Sequence, residues 1–447
     1  MLTFNIFCQL RISLLMRLSL LLVAAFSFLV LGSAGAQTLS KQDLLVIDMV
    51  DGNSDEQLAF LEETVNQNSG TLNVKGVRAA GAIYDREFKA LGFETEWIEQ
   101  PEELKRAGHL VARKAFGPGP HLLLIGHIDT VFEEFSPFQT FEVEGNIAKG
   151  PGISDMKGGN AVILFALRAL LEADVITQGT VTVFLTGDEE SPGRPLSISR
   201  RDLIEAGKAA DIALNFEGGS AEWAVIGRRG SSGWTLEVSA KQAHSSGIFR
   251  DGVGAGAIFE MSRILNRFYG EVRGPFGLTF NPGLAVGGTS ISEGQSPNER
   301  GAYGKTNVVA QTAIVRGGLR FMNDQQLQDA REAMRKIVED SLPETNATIT
   351  FTDSYPAMEE TEANKALLQR LNSVHARLGI DPAKSFPPER RGAADVSFVA
   401  PHVTSMDGLG VSGNGAHSPN ESMDIASMNS ATQRSALFIY DLLEERF

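Results

Sequence analysis

Cysteine is nearly absent from this chain of 447 residues: the one cysteine is Cys8. It lies in an N-terminal segment that reads as an export signal, so the chain expected after cleavage has no thiol. That excludes a thiol nucleophile, a thiolate metal ligand and a disulfide, the last even in an oxidising compartment. Any metal must be held by His, Asp and Glu. Histidine is itself scarce, with seven residues: His109, His121, His127, His244, His375, His402 and His417. Positive charge is also in deficit. The formal net charge is −15 at pH 7 and no basic stripe is visible, which argues against nucleic acid as a partner. No G-x-S-x-G nucleophile elbow and no phosphate-binding loop is evident.

Long hydrophobic runs are missing except at the N-terminus. There Leu18 to Leu31 is an apolar run of about 14 residues, short of the ~20 needed to span a membrane. Arg11 and Arg17 precede or open it, and Ala34-Gly35-Ala36 is a small-residue cleavage site before Gln37. The expectation is a signal peptide over residues 1–36, export to the periplasm or the medium, and no stable membrane anchor. Translation starting at Met1 or at Met16 fits this segment equally.

What remains is of ordinary globular composition, 43% apolar and 21% charged, and longer than one compact core usually holds. HLLLIGH (121–127), TVTVFLT (180–186) and DIALNFE (211–217) are continuous apolar runs, as for buried parallel strands. Helical patterns separate them, notably GGNAVILFALRALLEA (158–173). Two helices and a loop are expected between residues 44 and 93. This alternation predicts an α/β class with a mostly parallel open sheet. Near Gly227 the texture changes to half-exposed alternating strands such as GWTLEVSA, with two amphipathic helices between them. The simplest account is an α+β unit at 228–354 inserted into a larger unit made of 37–227 and 355–447.

Chemistry-bearing residues collect at the ends of the apolar runs. GHIDTV holds His127 and Asp129, two residues apart and so on one side of an extended strand; Asp129 either orients the His127 ring or caps a neighbouring helix. GPGISDMKGG presents Asp155, either as a helix cap or as a carboxylate for a cation. TGDEESPG crowds Asp188, Glu189 and Glu190 at the mouth of a buried strand. NFEGG ends another strand with Glu217, which alone reads as a solvated edge. GNGAHSPNE carries His417 in a glycine-flanked loop. In an α/β sheet such strand ends converge, because ligand sites lie beyond the carboxyl ends of the strands.

GHIDTV, SDMKGG, GDEE, FEGG and GAHS, in this order and spacing, resemble the co-catalytic zinc exopeptidases. That family includes bacterial glutamate carboxypeptidase, aminoacylase, acetylornithine deacetylase and succinyl-diaminopimelate desuccinylase. The resemblance covers nearly the whole expected mature chain. It implies a zinc-exopeptidase catalytic domain with an inserted ferredoxin-like dimerisation or lid domain. It implies two Zn²⁺ per chain, with Co²⁺ or Mn²⁺ able to take the same donors. His127, Asp155 and Glu217 are then ligands of one metal, and Asp155, Glu190 and His417 of the other. Glu189 is implied as general base, Asp129 as the group that orients His127, and a cis peptide is implied after Asp155. In the inserted unit, His244 matches a histidine that reaches the site of a partner subunit in a homodimer. Asn307 and Arg320 match positions that bind the substrate carboxylate, for which the Arg fork is well suited.

RRGAADVSF (390–398) departs from the glycine-rich GGTDA pattern of relatives at Arg391, Ala393 and Ala394. Arg390 and Arg391 are therefore either receptors for an acidic group or solvated cations. The leading expectation is an exported carboxypeptidase that cleaves the amide before a C-terminal residue. The alternatives are an N-acyl-amino-acid amidohydrolase and a dipeptidase. A non-catalytic binding module on the same fold is disfavoured, since all five ligands and Glu189 are present.

Overall fold

A computed structural model describes residues 38–294 and 299–446. The expected signal peptide, its cleavage point and Cys8 lie outside the described residues. The chain opens with three helices, Lys41–Gly52, Ser54–Asn66 and Val74–Ala90, where the sequence pattern suggested two. The difference is local. Asn53 ends the first helix and precedes the second, so an uninterrupted pattern conceals a corner. Ser40 and Asp43 form a reciprocal capping box at the first N-terminus, and the Asn73 side chain caps the third helix.

The central sheet has six strands in the order Glu94–Ile98, His109–Ala115, Thr180–Thr186, His121–His127, Ile212–Asn215, Thr404–Met406. The first two pairings are antiparallel and the other three parallel. His121–His127 lies in the middle and is buried on both faces. Leu122 and Leu124 pack into the main core with the helices Gly158–Glu172 and Ile425–Leu443. Leu123 and Ile125 pack on the opposite face with Phe184, Leu203, Val396 and Val399. This double burial explains why the strand is a continuous apolar run rather than an alternating one. The parallel register sets His127 beside Thr186 and Ile125 beside Asn215. Three strands therefore stop at nearly one level, and their following residues share one rim.

A second sheet, wholly antiparallel, has the order Thr279–Gly288, Thr312–Phe321, Gly230–Ala240, Thr345–Asp353. With the helices Ala257–Arg267 and Asp324–Glu339 it encloses its own core, including Trp234, Leu236, Val238, Ile264, Leu319 and Met334. The chain enters and leaves this unit on adjacent segments: Arg228 and Met358 exchange backbone hydrogen bonds of 2.9 and 3.0 Å. Among the described residues no helix is long and apolar enough to cross a membrane.

Candidate metal centre

His127 is the last residue of the central strand and is buried. Its Nδ1 lies 2.9 Å from the backbone carbonyl of Asp129. A carbonyl only accepts, so Nδ1 is the donor there, and Nε2 is the nitrogen left to ligate a cation. Nε2 points to Asp155 Oδ1 at 3.3 Å and Glu217 Oε1 at 3.7 Å. The Asp129 carboxylate lies 3.5 Å from the ring and has closer partners. It accepts from Thr71 Oγ1 at 2.6 Å, from the Glu189 N–H at 2.9 Å and from the Glu190 N–H at 3.1 Å. Asp129 thus links the His127 strand end to the Glu189-Glu190 turn, a connection that the i, i+2 spacing alone did not reveal.

Asp155 sits in the turn Ile153–Lys157, with a cis peptide to Met156. The turn is organised by a residue to which sequence reasoning assigned no role. The Glu421 carboxylate accepts the N–H groups of Gly152 (3.1 Å), Ser154 (2.8 Å) and Asp155 (3.0 Å), and the Ser154 hydroxyl (3.0 Å). Lys157 turns away from the rim. Its ammonium donates to the carbonyls of Thr64 (2.8 Å) and Gln67 (3.0 Å), at the C-terminal end of a helix. Burial pulls its pKa down to about 7. The helix that follows is brought against the Glu217 strand end by Gly159, where a Cβ would lie 1.9 Å from the Phe216 carbonyl oxygen.

His417 has φ +62° and lies in a loop between the short strands Gly413–Asn414 and Ser422–Asp424. Its Nε2 is 3.1 Å from Asp155 Oδ2 and 3.0 Å from Glu190 Oε2. The result is two three-residue groups, His127/Asp155/Glu217 and Asp155/Glu190/His417, each with its ligand atoms within 4.8 Å of one another. Asp155 belongs to both, one carboxylate oxygen turned to each histidine. The donor set fits a pair of divalent cations. It is wholly oxygen and nitrogen, three carboxylates and two neutral rings leave a net charge of about +1 with two dications, and Glu190 Oε1 is buried without a hydrogen-bond partner.

Without cations this concentration of acids is electrostatically costly, and the protonation states register it. Burial, reinforced by Asp155, pushes Glu217 up to about 8. Burial, with Glu217, Asp395 and Glu190 adding to it, holds Glu189 well above the carboxylate range. Hydrogen bonds to Asp155 and Glu190 lift His417 to about 11. Glu189 makes no ion pair among those described. Its carbonyl accepts the Tyr355 hydroxyl at 2.8 Å.

Asp188, the third acid of the crowded turn, faces the protein interior. Its Oδ1 pairs with Arg200 Nη1 at 2.6 Å, and Arg200 Nε reaches Asp395 Oδ1 at 2.8 Å; all three side chains are essentially inaccessible. Asp188 Oδ2 also accepts the Gly193 N–H at 2.7 Å, closing the turn. The three acids therefore separate: one braces the interior, one belongs to a ligand group, and one stands beside the ligands.

The remaining sequence candidates lie on the second unit. His244 and Asn307 are neighbours there: His244 pairs with Val308 and the Ser245 N–H donates to the Asn307 carbonyl at 2.9 Å. Both side chains are exposed. Arg320 lies on the strand Thr312–Phe321, close enough to Arg229 for the two charges to repel. None of the three belongs to either ligand group.

Residues 123–441 match the model for "Peptidase family M20/M25/M40". The chain is 29% identical over 423 residues to carboxypeptidase G2 of Pseudomonas sp. (strain RS-16), covering 92% of this chain and 94% of that protein. It is 26% identical over 341 residues to succinyl-diaminopimelate desuccinylase of Granulibacter bethesdensis, covering 71% and 82% respectively. Its fold is similar to that of the aminopeptidase PepT of Bacillus cereus, with a TM-score of 0.68, 16% identity and coverage of 87% and 99%.

Proposed function

The chain belongs to the M20/M25/M40 peptidase family, and on that premise we propose that it is an exported two-zinc carboxypeptidase that hydrolyses the amide before a C-terminal amino acid. The observation that carries this reading is the pairing of two ligand groups through Asp155 with Glu189 beside them. His127, Asp155 and Glu217 would hold one cation, and Asp155, Glu190 and His417 the other. When bound, such a pair supplies Lewis acidity toward the amide carbonyl and acidifies water.

The chain's own residues do the rest. Glu189 takes a proton from the attacking water and returns it to the amine nitrogen as the C–N bond breaks, giving a free acid and a free amine. The carboxyl holds the proton between the two transfers. Asp129 fixes both the His127 strand end and the backbone of Glu189 and Glu190, so base and ligands move as one body. Arg320, with Arg229 nearby, is a receptor for the C-terminal carboxylate; Asn307, the neighbour of His244 at the other end of the same sheet, adds its contact to the substrate carboxylate from the second copy. In this reading the inserted unit mediates a homodimer and His244 serves the site of the second copy, stabilising the tetrahedral oxyanion.

The similarity to carboxypeptidase G2 over most of both chains favours the carboxypeptidase over its alternative. The desuccinylase similarity sustains the alternative, an N-acyl-amino-acid amidohydrolase. The test is mass-spectrometric scoring of metal-loaded enzyme against dipeptides and N-acyl amino acids with free or amidated C-termini. Cleavage confined to free C-termini supports the proposal. Cleavage of amidated substrates at equal rates, or cleavage that needs a free N-terminus, overturns it.

A further inference from the structure

Beside the ligand groups lies a cavity of about 460 Å³. Ser154, Asp155 and Glu217 form part of its lining, and the rest comes from the segments 218–225, 386–391 and 408–416, none of it from the inserted unit. One wall is aromatic: Trp223 and Phe386 meet edge to face, with ring centroids 5.6 Å apart and planes at 81°. The guanidinium groups of Arg390 and Arg391 each lie 5.5 Å from the Phe386 centroid, and Lys384 Nζ lies 5.7 Å from that of Trp223; of the three cations Arg391 lines the cavity.

Arg391 is poised rather than satisfied. Its Nη2 donates to the Gly218 carbonyl. Its Nε is buried and has no hydrogen-bond partner. No carboxylate among the described residues forms an ion pair with it. Of the neighbouring cations, Arg228 is already paired with Asp407 and Lys384 with Glu222. The acids nearest the cavity, Asp155 and Glu217, are the ones the ligand groups would commit to cations. A half-buried guanidinium beside an aromatic ring, with no carboxylate partner among the described residues, is a receptor for a planar anion.

We propose that this cavity receives the acyl half of the substrate, and that Arg391 selects acyl groups that are flat and end in a carboxylate. The inference rests on the carboxypeptidase reading in one respect: if Arg320 on the inserted unit takes the amino-acid half, the cavity built only from the other unit is left for the acyl half. The aromatic wall accommodates the body of the group and Arg391 its anionic end. A site built to pair a carboxylate discriminates against the analogue that lacks it, because the guanidinium is then left unpaired in a desolvated place.

The test uses two substrates with the same C-terminal residue, one N-benzoyl and one N-(4-carboxybenzoyl). The wild-type enzyme is expected to favour the carboxylated substrate by about ten-fold or more in kcat/KM. In Arg391→Met that ratio should collapse to within about three-fold, and Arg391→Lys should restore part of it. A wild-type ratio near one, or a ratio unchanged in Arg391→Met, overturns the proposal. A second readout is independent of turnover: calorimetric titration of the metal-loaded protein with terephthalate and with benzoate. Terephthalate should bind more tightly to wild type, and the advantage should vanish in Arg391→Met; equal binding of the two anions to wild type counts against Arg391. If neither amide is cleaved but the binding difference holds, the carboxypeptidase reading fails while the anion receptor stands.

Discussion

Glu421 accepts the backbone N–H of Asp155 at 3.0 Å, and the same carboxylate gathers the N–H groups of Gly152 and Ser154 as well. The bridging candidate is therefore held through its main chain by a residue 266 positions away. Exchange for Gln turns part of this all-acceptor group into a donor facing N–H groups. Glu421→Gln should leave the fold intact and weaken metal binding by about 10- to 100-fold, the usual cost of losing a group that orients a ligand. Competition with a chelator of known affinity measures this. Unchanged affinity would show that the turn Ile153–Lys157 holds its shape alone.

Arg200 joins Asp188 to Asp395 in a place closed to water, and Thr186 also donates to Asp395 at 2.6 Å. Removing the cation strands two buried carboxylates. Arg200→Met should destabilise the protein by about 3–5 kcal/mol, read as a lower urea midpoint with the same slope. The double variant with Asp188→Asn should recover part of the loss. Equal stability of Arg200→Met and wild type would mean that the acids find protons or water at little cost.

These two residues mark where sequence reading stops. Positions that end buried strands announce themselves, because an apolar run that stops at His127, or just short of Glu189 and Glu217, is abrupt within one window of residues. His417 was legible from its glycine-flanked loop. Glu421 stands four residues later in the same loop and carries no local signal, since its partners lie at 152–155 and no local pattern encodes that pairing. Arg200 was hidden in the same way, as a charge in an otherwise amphipathic stretch. The α/β alternation and the change of texture at Gly227 were legible because they repeat over many residues. The corner at Asn53 was not, because a single residue makes it.

Glu189 stands beside the ligand groups without belonging to either. Glu189→Gln keeps the shape and the backbone bonds to Asp129 and Tyr355 but cannot carry a proton. It should retain two metals per chain by elemental analysis and lose about 10²- to 10⁴-fold in kcat, the range for general acid–base catalysis. Turnover within a few-fold of wild type would remove Glu189 from the reaction.

Metal binding and proton release are coupled with a definite sign. In the metal-free protein Glu217 is raised by burial to about 8, and His417 by its bonds to Asp155 and Glu190 to about 11. His127 is opposed by burial, but hydrogen bonds with Asp129 and Asp155 outweigh it and hold its pKa well above the imidazole value. At pH 7 all three groups lie below their folded pKa values and so carry the proton that a cation must displace. Loading at pH 7 should therefore release protons, and affinity should rise as pH is raised. Between pH 7 and 9 Glu217 loses its proton unaided, so the number released on binding should fall by about one or more while His417 still contributes. Titration calorimetry in buffers of different ionisation enthalpy counts these protons directly. Heats that do not depend on the buffer at pH 7 would mean that the ligands are already deprotonated, and that the acids around Asp155 are neutralised by something other than the two histidines.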